Sequence, residues 1–275
     1  MGVLRVSISV LTATLLGFTP VLQAQAADGD APEAAEIVRH CDLETYPGKD
    51  QQSKLTVTLR DSSGTEKKSV YRRLWKDYKG DDELLEKMVV ITDFPPDQKG
   101  TTFMHWLYLP TSGKPADQWL YLPFLRKIQR VSDRNPGDMF LGSDLTLADI
   151  SYRPVDTDEH RLLRVDEEGD TPHYVVESIP KESNPLYGKR VTWYKKADDW
   201  KDCLKTQVEY YDTGMHLLKT EKLTWQKVKD AWVWDTVTVE NVQTGHSSTI
   251  QVSEVGVDVG LKDSMFTERR MKRGF

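Results

Sequence analysis

The sequence lacks the short motifs that mark common enzyme classes. It has no G-x-S-x-G nucleophile elbow, no Walker phosphate loop, no H-E-x-x-H zinc motif and no G-x-G-x-x-G after a strand. Its six histidines are scattered, and none is spaced from another histidine or from a cysteine as metal ligands usually are. Acidic clusters at 156–159 and 167–170 lie in hydrophilic stretches, where solvated charge is the ordinary explanation. We therefore expect no enzyme, no metal site and no cofactor.

Long apolar runs are also missing beyond the first 26 residues. Arg5 supplies a positive charge near their start, an apolar run extends from Val6 to Leu22, and the cleavage pattern Ala24-Gln25-Ala26 ends them. A transmembrane anchor is the alternative, but Ser, Thr, Gly and Pro interrupt the run and it is short for a span. We expect residues 1–26 to be a cleaved signal peptide, and residues 27–275 to be exported without a transmembrane span or a lipid-modified cysteine.

Acidic residues outnumber basic ones, 43 to 37, and cysteine is scarce, with 2 in the chain. The formal net charge of −6 argues against general nucleic-acid binding. Arg126, Lys127 and Arg130 form a local basic cluster that could contact a partner or anionic headgroups, although a solvated face is the plainer explanation. In an oxidising compartment Cys41 and Cys203 could form a disulfide between the first helix and a late strand. Two separately buried thiols remain the alternative.

The pattern of apolar residues predicts one early helix and then a long series of strands. Residues 32–44 have helical spacing and precede Pro47-Gly48. From residue 54 onward the apolar residues alternate with polar ones, and turn residues recur at roughly even intervals. About ten to eleven antiparallel strands follow from this pattern, and so large a sheet must curl because twist accumulates across it. No linker or repeat divides the chain, so we expect a single domain over residues 27–275.

The stretch from Asp117 to Tyr152 departs from this simple pattern. Strands near 101–109 and 117–122 are apolar on both faces, so each face needs cover. A basic turn follows them, and then a short helix capped by Ser143 or Asp144 that runs through Asp149.

Between the basic turn and this helix lies an unusually apolar loop, Met139-Phe140-Leu141. The loop could plug the core of its own domain, or it could be a mobile flap over a cavity. The sequence alone leaves both possibilities open.

Aromatic and apolar side chains on the central strands are the candidates for the wall of such a cavity. The chain has 8 Trp and 11 Tyr, many for an otherwise hydrophilic sequence. An ordinary barrel core is the alternative explanation. The candidate cargo-binding residues are Met88, Val90, Phe103, Trp106, Tyr108, Trp119, Tyr121, Phe124, Met139, Phe140 and Leu141.

Four segments together carry a family resemblance that covers nearly all of residues 27–275. They are GTTFMHWLYLP, QWLYLPFLRKIQRVS, DMFLGSDLTLADI and ENVQTGHSSTIQVSEVGVDVGLKDSMFT, in this order. The chain resembles the bacterial outer-membrane lipoprotein-sorting protein family, a branch of the LolA-like superfamily. The resemblance implies a half-open antiparallel β-barrel of the LolA/LolB type, wrapped around an apolar cavity and closed by a few helices.

The resemblance also implies a function in the periplasm of a Gram-negative cell. It implies a carrier that binds acyl chains of lipoproteins or other lipids and serves trafficking to the outer membrane. Its partners would be the acylated lipoprotein or lipid cargo, an inner-membrane transporter of the RND or ABC type, and an outer-membrane acceptor. Two alternatives are a lipid-binding accessory of an RND-type exporter and a stress regulator that senses lipids or lipoproteins.

Overall fold

An antiparallel sheet of thirteen strands runs through the residues that the computed structural model describes, which are 32–43, 45–131, 135–167, 171–182 and 186–275. The predicted signal peptide, residues 1–26, lies outside them. The strands are β1 (Asp50–Arg60), β2 (Glu66–Asp77), β3 (Leu84–Phe94), β4 (Thr102–Tyr108), β5 (Asp117–Leu122), β6 (Lys127–Arg130), β7 (Asp158–Asp166), β8 (His173–Pro180), β9 (Lys189–Lys195), β10 (Lys205–Tyr211), β11 (Leu217–Val228), β12 (Ala231–Asn241) and β13 (His246–Val257). The helices are α1 (Ala34–Leu43), α2 (Leu147–Ile150) and α3 (Glu268–Arg273).

The sheet consists of two meanders joined side by side. Strands β1 to β6 form one meander, strands β7 to β13 form the other, and β1 pairs with β13. Strands β6 and β7 are therefore the two edges, and the curved sheet is not closed. Because β6 and β7 are consecutive in sequence, the segment between them must connect one edge to the other. We call its residues 135–157 the cover segment.

The sequence predicted a mainly β, half-open fold correctly, but its strand count of ten to eleven was too low. The basic run at Lys127–Arg130 was predicted as a turn, whereas it is the edge strand β6 and pairs with β5. The turn lies just before it, where Arg126 has a left-handed φ of 48°. A four-residue edge strand rich in charge has too little alternation to be distinguished from a turn.

Helices cover parts of the sheet at both ends of the chain. Helix α1 lies against β7 and β8, and a disulfide joins Cys41 to Cys203 with a Cα–Cα distance of 4.9 Å. At the other end, Phe266 and Met271 of the α3 region are buried against the central strands. The convex side chains beneath them are Leu74, Val89, Ile91, Met104 and Trp119. This explains why β3 to β5 are apolar on both faces.

Candidate ligand-binding cavity

A cavity of about 850 Å³ lies on the concave side of the sheet, beneath the cover segment. Volumes of this size are typical of sites for small molecules. Alternation along β1 to β5 directs one set of side chains into it, and β11 to β13 supply the opposite wall. The apolar sheet residues that line it are Leu55, Leu85, Met88, Val90, Phe103, Leu107, Leu120, Trp225, Trp232, Val233, Trp234, Ile250 and Val252.

The cover segment contributes a second apolar surface to the cavity. Its lining residues include Met139, Phe140, Leu141, Leu147 and Ile150. Phe140 is only 7% exposed and packs in the core cluster of the concave face. Its backbone N–H donates to the Leu145 carbonyl at 2.8 Å. Phe140 thus plugs the core while one side of it borders the cavity, so the two explanations of this loop are not exclusive.

The backbone of this loop is strained at one residue. Leu141 has a φ of 52°, a left-handed value that is uncommon for a residue with a side chain. The next residue, Gly142, also has a positive φ of 76°, which glycine adopts at no steric cost. The two residues turn the chain sharply just after Phe140.

The structure brings six of the eleven predicted wall residues to the cavity. These are Met88, Val90, Phe103, Met139, Phe140 and Leu141. The other five lie elsewhere, and for them the predicted position is wrong. Trp106, Trp119 and Tyr121 belong to the cluster on the convex face, where the Trp106 and Trp119 ring centroids are 5.2 Å apart.

Tyr108 and Phe124 are the remaining two. The Tyr108 hydroxyl donates to Asp117 at 2.9 Å, and Phe124 is 79% exposed in the turn between β5 and β6. The physical reason for the error is parity. Residues of odd and even position on one strand point to opposite faces, so Phe103 and Trp106 could not both have lined one wall.

A group of polar residues in the cavity wall was missed by the sequence analysis. They share the inward parity of the apolar lining and are Gln51, Ser53, Arg73, Glu86, His105 and Gln118. The signal was present, because Glu86 is two residues from Met88 and therefore on the same face. This spacing could not be used, because the sequence does not say which face of β3 lines the cavity.

Glu86 is held firmly by its neighbours in the wall. Trp75 Nε1 donates to its Oε2 at 2.6 Å, and His105 Nε2 is hydrogen-bonded to its Oε1 at 2.9 Å. Burial raises the pKa of Glu86, but these hydrogen bonds and the charge of Arg73 outweigh burial, so the pKa is lowered from its usual 4.5. Glu86 is therefore ionised at neutral pH.

The cover segment is fastened to the sheet by a buried ion pair. Asp149 of α2 accepts a hydrogen bond from Lys219 Nζ of β11 at 2.6 Å, and both side chains are almost fully buried, at 1% and 3% exposed. The Tyr187 hydroxyl donates to the other oxygen of Asp149 at 2.8 Å. Lys219 Nζ also donates to the Asp144 carbonyl at 2.7 Å and lies 4.8 Å from the Tyr210 ring centroid.

The start of α2 differs in detail from the prediction. Thr146 is the N-cap, and its backbone N–H donates to Asp149 Oδ2 at 2.6 Å. The predicted caps have other roles. The Ser143 hydroxyl donates to the Phe140 carbonyl at 2.6 Å, and the Asp144 N–H donates to Ser248 Oγ at 2.9 Å.

A second charged cluster fastens the far end of the cover segment. Arg153 lines the cavity, and its Nε donates to Asp158 Oδ2 at 2.9 Å. Arg190 forms another ion pair with the same carboxylate. Burial raises the pKa of Asp158, but the Arg153 hydrogen bond and the charges of both arginines outweigh it, so the pKa is lowered. Two buried carboxylates, Asp149 and Asp158, thus anchor the cover segment.

The predicted basic cluster lies outside the cavity, at the rim of the sheet. Arg126, Lys127 and Arg130 are exposed, and Arg130 forms an ion pair with Asp117. Beside them in the same turn, Phe124 and Leu125 are exposed. We call residues 124–127 the rim turn. It combines large apolar side chains with positive charge.

Within ranges 32–43, 45–131, 135–167, 171–182 and 186–275, no group of three or more His, Cys, Asp and Glu side chains could hold a metal ion. Among the helices that the structure describes, none has the length and apolar character needed to cross a bilayer.

The fold and cavity define a half-open β-barrel of the LolA type, and comparison with known proteins agrees. A family profile described only as "Uncharacterized protein" matches residues 85–273. No curated protein matches the sequence. The chain belongs to the family of that profile, and its fold is LolA-like.

Three solved structures show the likeness. A domain from Vibrio parahaemolyticus, named as a candidate outer-membrane lipoprotein-sorting protein domain, is 27% identical with a TM-score of 0.72, and the match covers 87% of this chain and 98% of that one. A DUF1329 family protein from Desulfovibrio piger is 24% identical with a TM-score of 0.72, covering 86% and 96%. A LolA superfamily protein from Nitrosomonas europaea is 19% identical with a TM-score of 0.61, covering 87% and 99%. The latter two show the fold alone.

Proposed function

We propose that this protein is a periplasmic carrier that binds the acyl chains of lipoproteins or other lipids. The observation that carries the proposal is the cavity of about 850 Å³, whose sheet wall and cover segment are both largely apolar. Loops are usually polar, so an apolar loop beside an apolar cavity favours a ligand that is itself apolar. The similarity to a candidate lipoprotein-sorting domain supports the same conclusion.

The hydrophobic effect is sufficient to load such a carrier. Burial stabilises each CH₂ group by about 0.8 kcal/mol, so a chain of about 16 carbons gains roughly 12 kcal/mol at most. A cargo bound so strongly leaves slowly unless a partner competes for it. The proposed function therefore includes an inner-membrane transporter of the RND or ABC type that loads the carrier and an outer-membrane acceptor that unloads it.

The rim turn is the proposed contact with a membrane or partner during this transfer. Its exposed Phe124 and Leu125 can insert among lipid chains while Arg126 and Lys127, with Arg130 nearby, lie against anionic headgroups. Replacing Arg126 and Lys127 by glutamine should weaken binding to anionic vesicles by about 1 kcal/mol per residue. Binding to neutral vesicles should change little. Equal losses on both vesicle types would contradict this assignment.

Native mass spectrometry of protein purified from the periplasm tests the carrier directly. We expect a co-purifying acyl species, and its mass would identify the cargo. The matched variants are Leu120→Glu, which places a carboxylate in the cavity wall, and Ile179→Glu, which places one at an exposed apolar site on β8. Leu120→Glu should lose the bound species because an unpaired charge in an apolar site costs several kcal/mol. Ile179→Glu should retain it. Empty wild-type protein that also fails to bind a fluorescent fatty acid would refute the proposal.

A further inference from the structure

Arg73 is the cation of the polar group in the cavity wall. It lies on β2 and lines the cavity beside Ser53 of β1, its direct cross-strand neighbour. Its Nη1 donates to Gln51 Oε1 at 2.8 Å. Among the residues that the structure describes, no carboxylate lies within ion-pairing distance of Arg73. The Arg73 Cζ lies 5.7 Å from the Trp75 ring centroid. A guanidinium has five N–H donors, and among the described side chains only Gln51 accepts a hydrogen bond from Arg73.

The nearest acid does not neutralise Arg73 by direct contact. Glu86 makes its hydrogen bonds to Trp75 and His105, one through each oxygen. Burial lowers the pKa of Arg73 to about 10, which still leaves the guanidinium protonated at neutral pH. Buried charges are ordinarily paired, because an unpaired charge is costly to remove from water. An unpaired arginine in a cavity wall is therefore a place where a ligand anion would be stabilised.

A second polar atom at the same place also lacks a partner. The Ser53 hydroxyl is buried and has no hydrogen-bond partner among the described residues, and Ser53 itself is only 6% exposed. Buried hydroxyls nearly always form a hydrogen bond. Because Ser53 and Arg73 are opposite one another in the sheet, one ligand group could accept hydrogen bonds from both after a rotation of the buried Ser53 hydroxyl.

A row of apolar residues begins at this pair and crosses the sheet. In cross-strand register, Arg73 is followed by Val90 of β3, Phe103 of β4 and Leu120 of β5, all of which line the cavity. Neighbouring strands are about 4.8 Å apart, so this row extends roughly 14 Å from the charge. A ligand lying along it would have an anionic end and a long apolar tail.

We propose that the cavity selects anionic amphiphiles, whose carboxylate or phosphate binds Arg73 and Ser53 while the tail lies along Val90, Phe103 and Leu120. This inference rests on the proposed carrier function and makes it more specific. The carbonyl of an ester-linked or amide-linked acyl chain could accept a hydrogen bond from Arg73, but without a charge of its own this contact is weaker. A free fatty acid or a phospholipid would gain a charge-assisted, bidentate contact.

Calorimetry with three ligands of equal tail length tests the proposal on the full chain freed of endogenous ligand. The ligands are laurate, dodecyl phosphate and dodecanol. We expect the wild-type protein to bind at least one of the two anions about tenfold or more tighter than dodecanol, which is the strength usual for a hydrogen bond to a charged group. Tighter binding of dodecyl phosphate would indicate a phospholipid headgroup, and tighter binding of laurate a free fatty acid.

Substitution of neighbouring arginines supplies the matched control. Arg73→Met should abolish the preference for anions and leave dodecanol binding unchanged, and Ser53→Ala should reduce the preference in part. Arg72→Met should leave it unchanged, because Arg72 has the opposite parity on β2 and pairs with Asp93 at 2.9 Å. If Arg73→Met does not fold, Arg73→Lys should retain a preference that is weaker than in the wild type.

The outcomes separate this inference from the carrier function. Equal affinity of the wild type for all three ligands would overturn the selection of anions but leave the carrier intact. The selection of anions would also be overturned if Arg73→Met lost as much affinity for dodecanol as for laurate. Failure of every ligand to bind would overturn the carrier function, and the inference with it.

Discussion

Replacing Lys219 by methionine tests whether a buried ion pair fastens the cover segment. Methionine retains much of the apolar stem of lysine but removes its charge, so the packing changes little. The variant loses the 2.6 Å hydrogen bond to Asp149 and the 2.7 Å hydrogen bond to the Asp144 carbonyl. It leaves Asp149, 1% exposed, as a buried carboxylate without a cation.

The expected loss of stability is about 3 kcal/mol. Removing one partner of a buried pair usually costs about 3–5 kcal/mol. The lower end applies because Asp149 keeps hydrogen bonds from the Tyr187 hydroxyl at 2.8 Å and from the Thr146 N–H at 2.6 Å. Loss of the Lys219 charge also removes a charge that lowers the pKa of buried Glu221, and protonation of Glu221 would limit this added cost.

Urea denaturation at neutral pH measures this loss, and hydrogen exchange localises it. Relative to the wild type, Lys219→Met should speed hydrogen exchange more in the cover segment than in β1 to β3. Lys222→Met, at an exposed position of the same strand, is the control and should cost less than about 0.5 kcal/mol. Adding Asp149→Asn to Lys219→Met should recover about 1 kcal/mol or more, because the unpaired charge is removed. A loss no greater than the control, or no recovery in the double variant, would refute the reasoning.

Three further predictions concern the disulfide, one buried acid and the plug of the cover segment. Cys203→Ser should lower the free energy of unfolding by up to about 5 kcal/mol, because the disulfide closes a loop of 162 residues, and an unchanged denaturation midpoint would contradict this. Glu221→Gln should raise the stability of the protein at neutral pH and leave it unchanged below about pH 4.5. The reason is that the pKa of Glu221 is raised on folding, so its ionisation destabilises the folded state as the pH rises above 4.5. A variant that is less stable at every pH would contradict this. Phe140→Asp should lower the free energy of unfolding by about 3 kcal/mol and so lower the melting temperature, because Phe140 is buried. Met139→Asp, at an exposed position, should change the melting temperature little. Equal effects of the two substitutions would show that Phe140 does not plug the core.

Much of the sheet could be predicted from the sequence because alternation determines where strands lie. Strands were predicted near 101–109 and 117–122, and β4 and β5 lie at these positions. What alternation does not determine is which of the two faces is concave. The aromatic residues Trp106 and Trp119 suggested a cavity wall, but the α3 region covers their face, and contacts with a helix near the chain end leave no local signal in the strands.

The site itself was harder to predict than the fold. The apolar residues Met88 and Val90 were identified because hydrophobic lining is what a lipid cavity requires. Arg73 and Glu86 were missed because a charged residue in an alternating strand is normally assigned to the wet face. The pairing of Cys41 with Cys203 was also open, since it depends on the position of α1 against the sheet and no local pattern encodes that position.

The way in which the barrel is closed suggests where a ligand enters. The cover segment is held by the buried pairs of Asp149 and Asp158, so lifting it would expose unpaired charges and cost several kcal/mol. The rim offers another route. A surface groove beside Phe124 of the rim turn shares Thr101 with the cavity. A chain that entered beside Phe124 would break no ion pair of the cover segment, so we expect the anchors to remain closed while cargo moves.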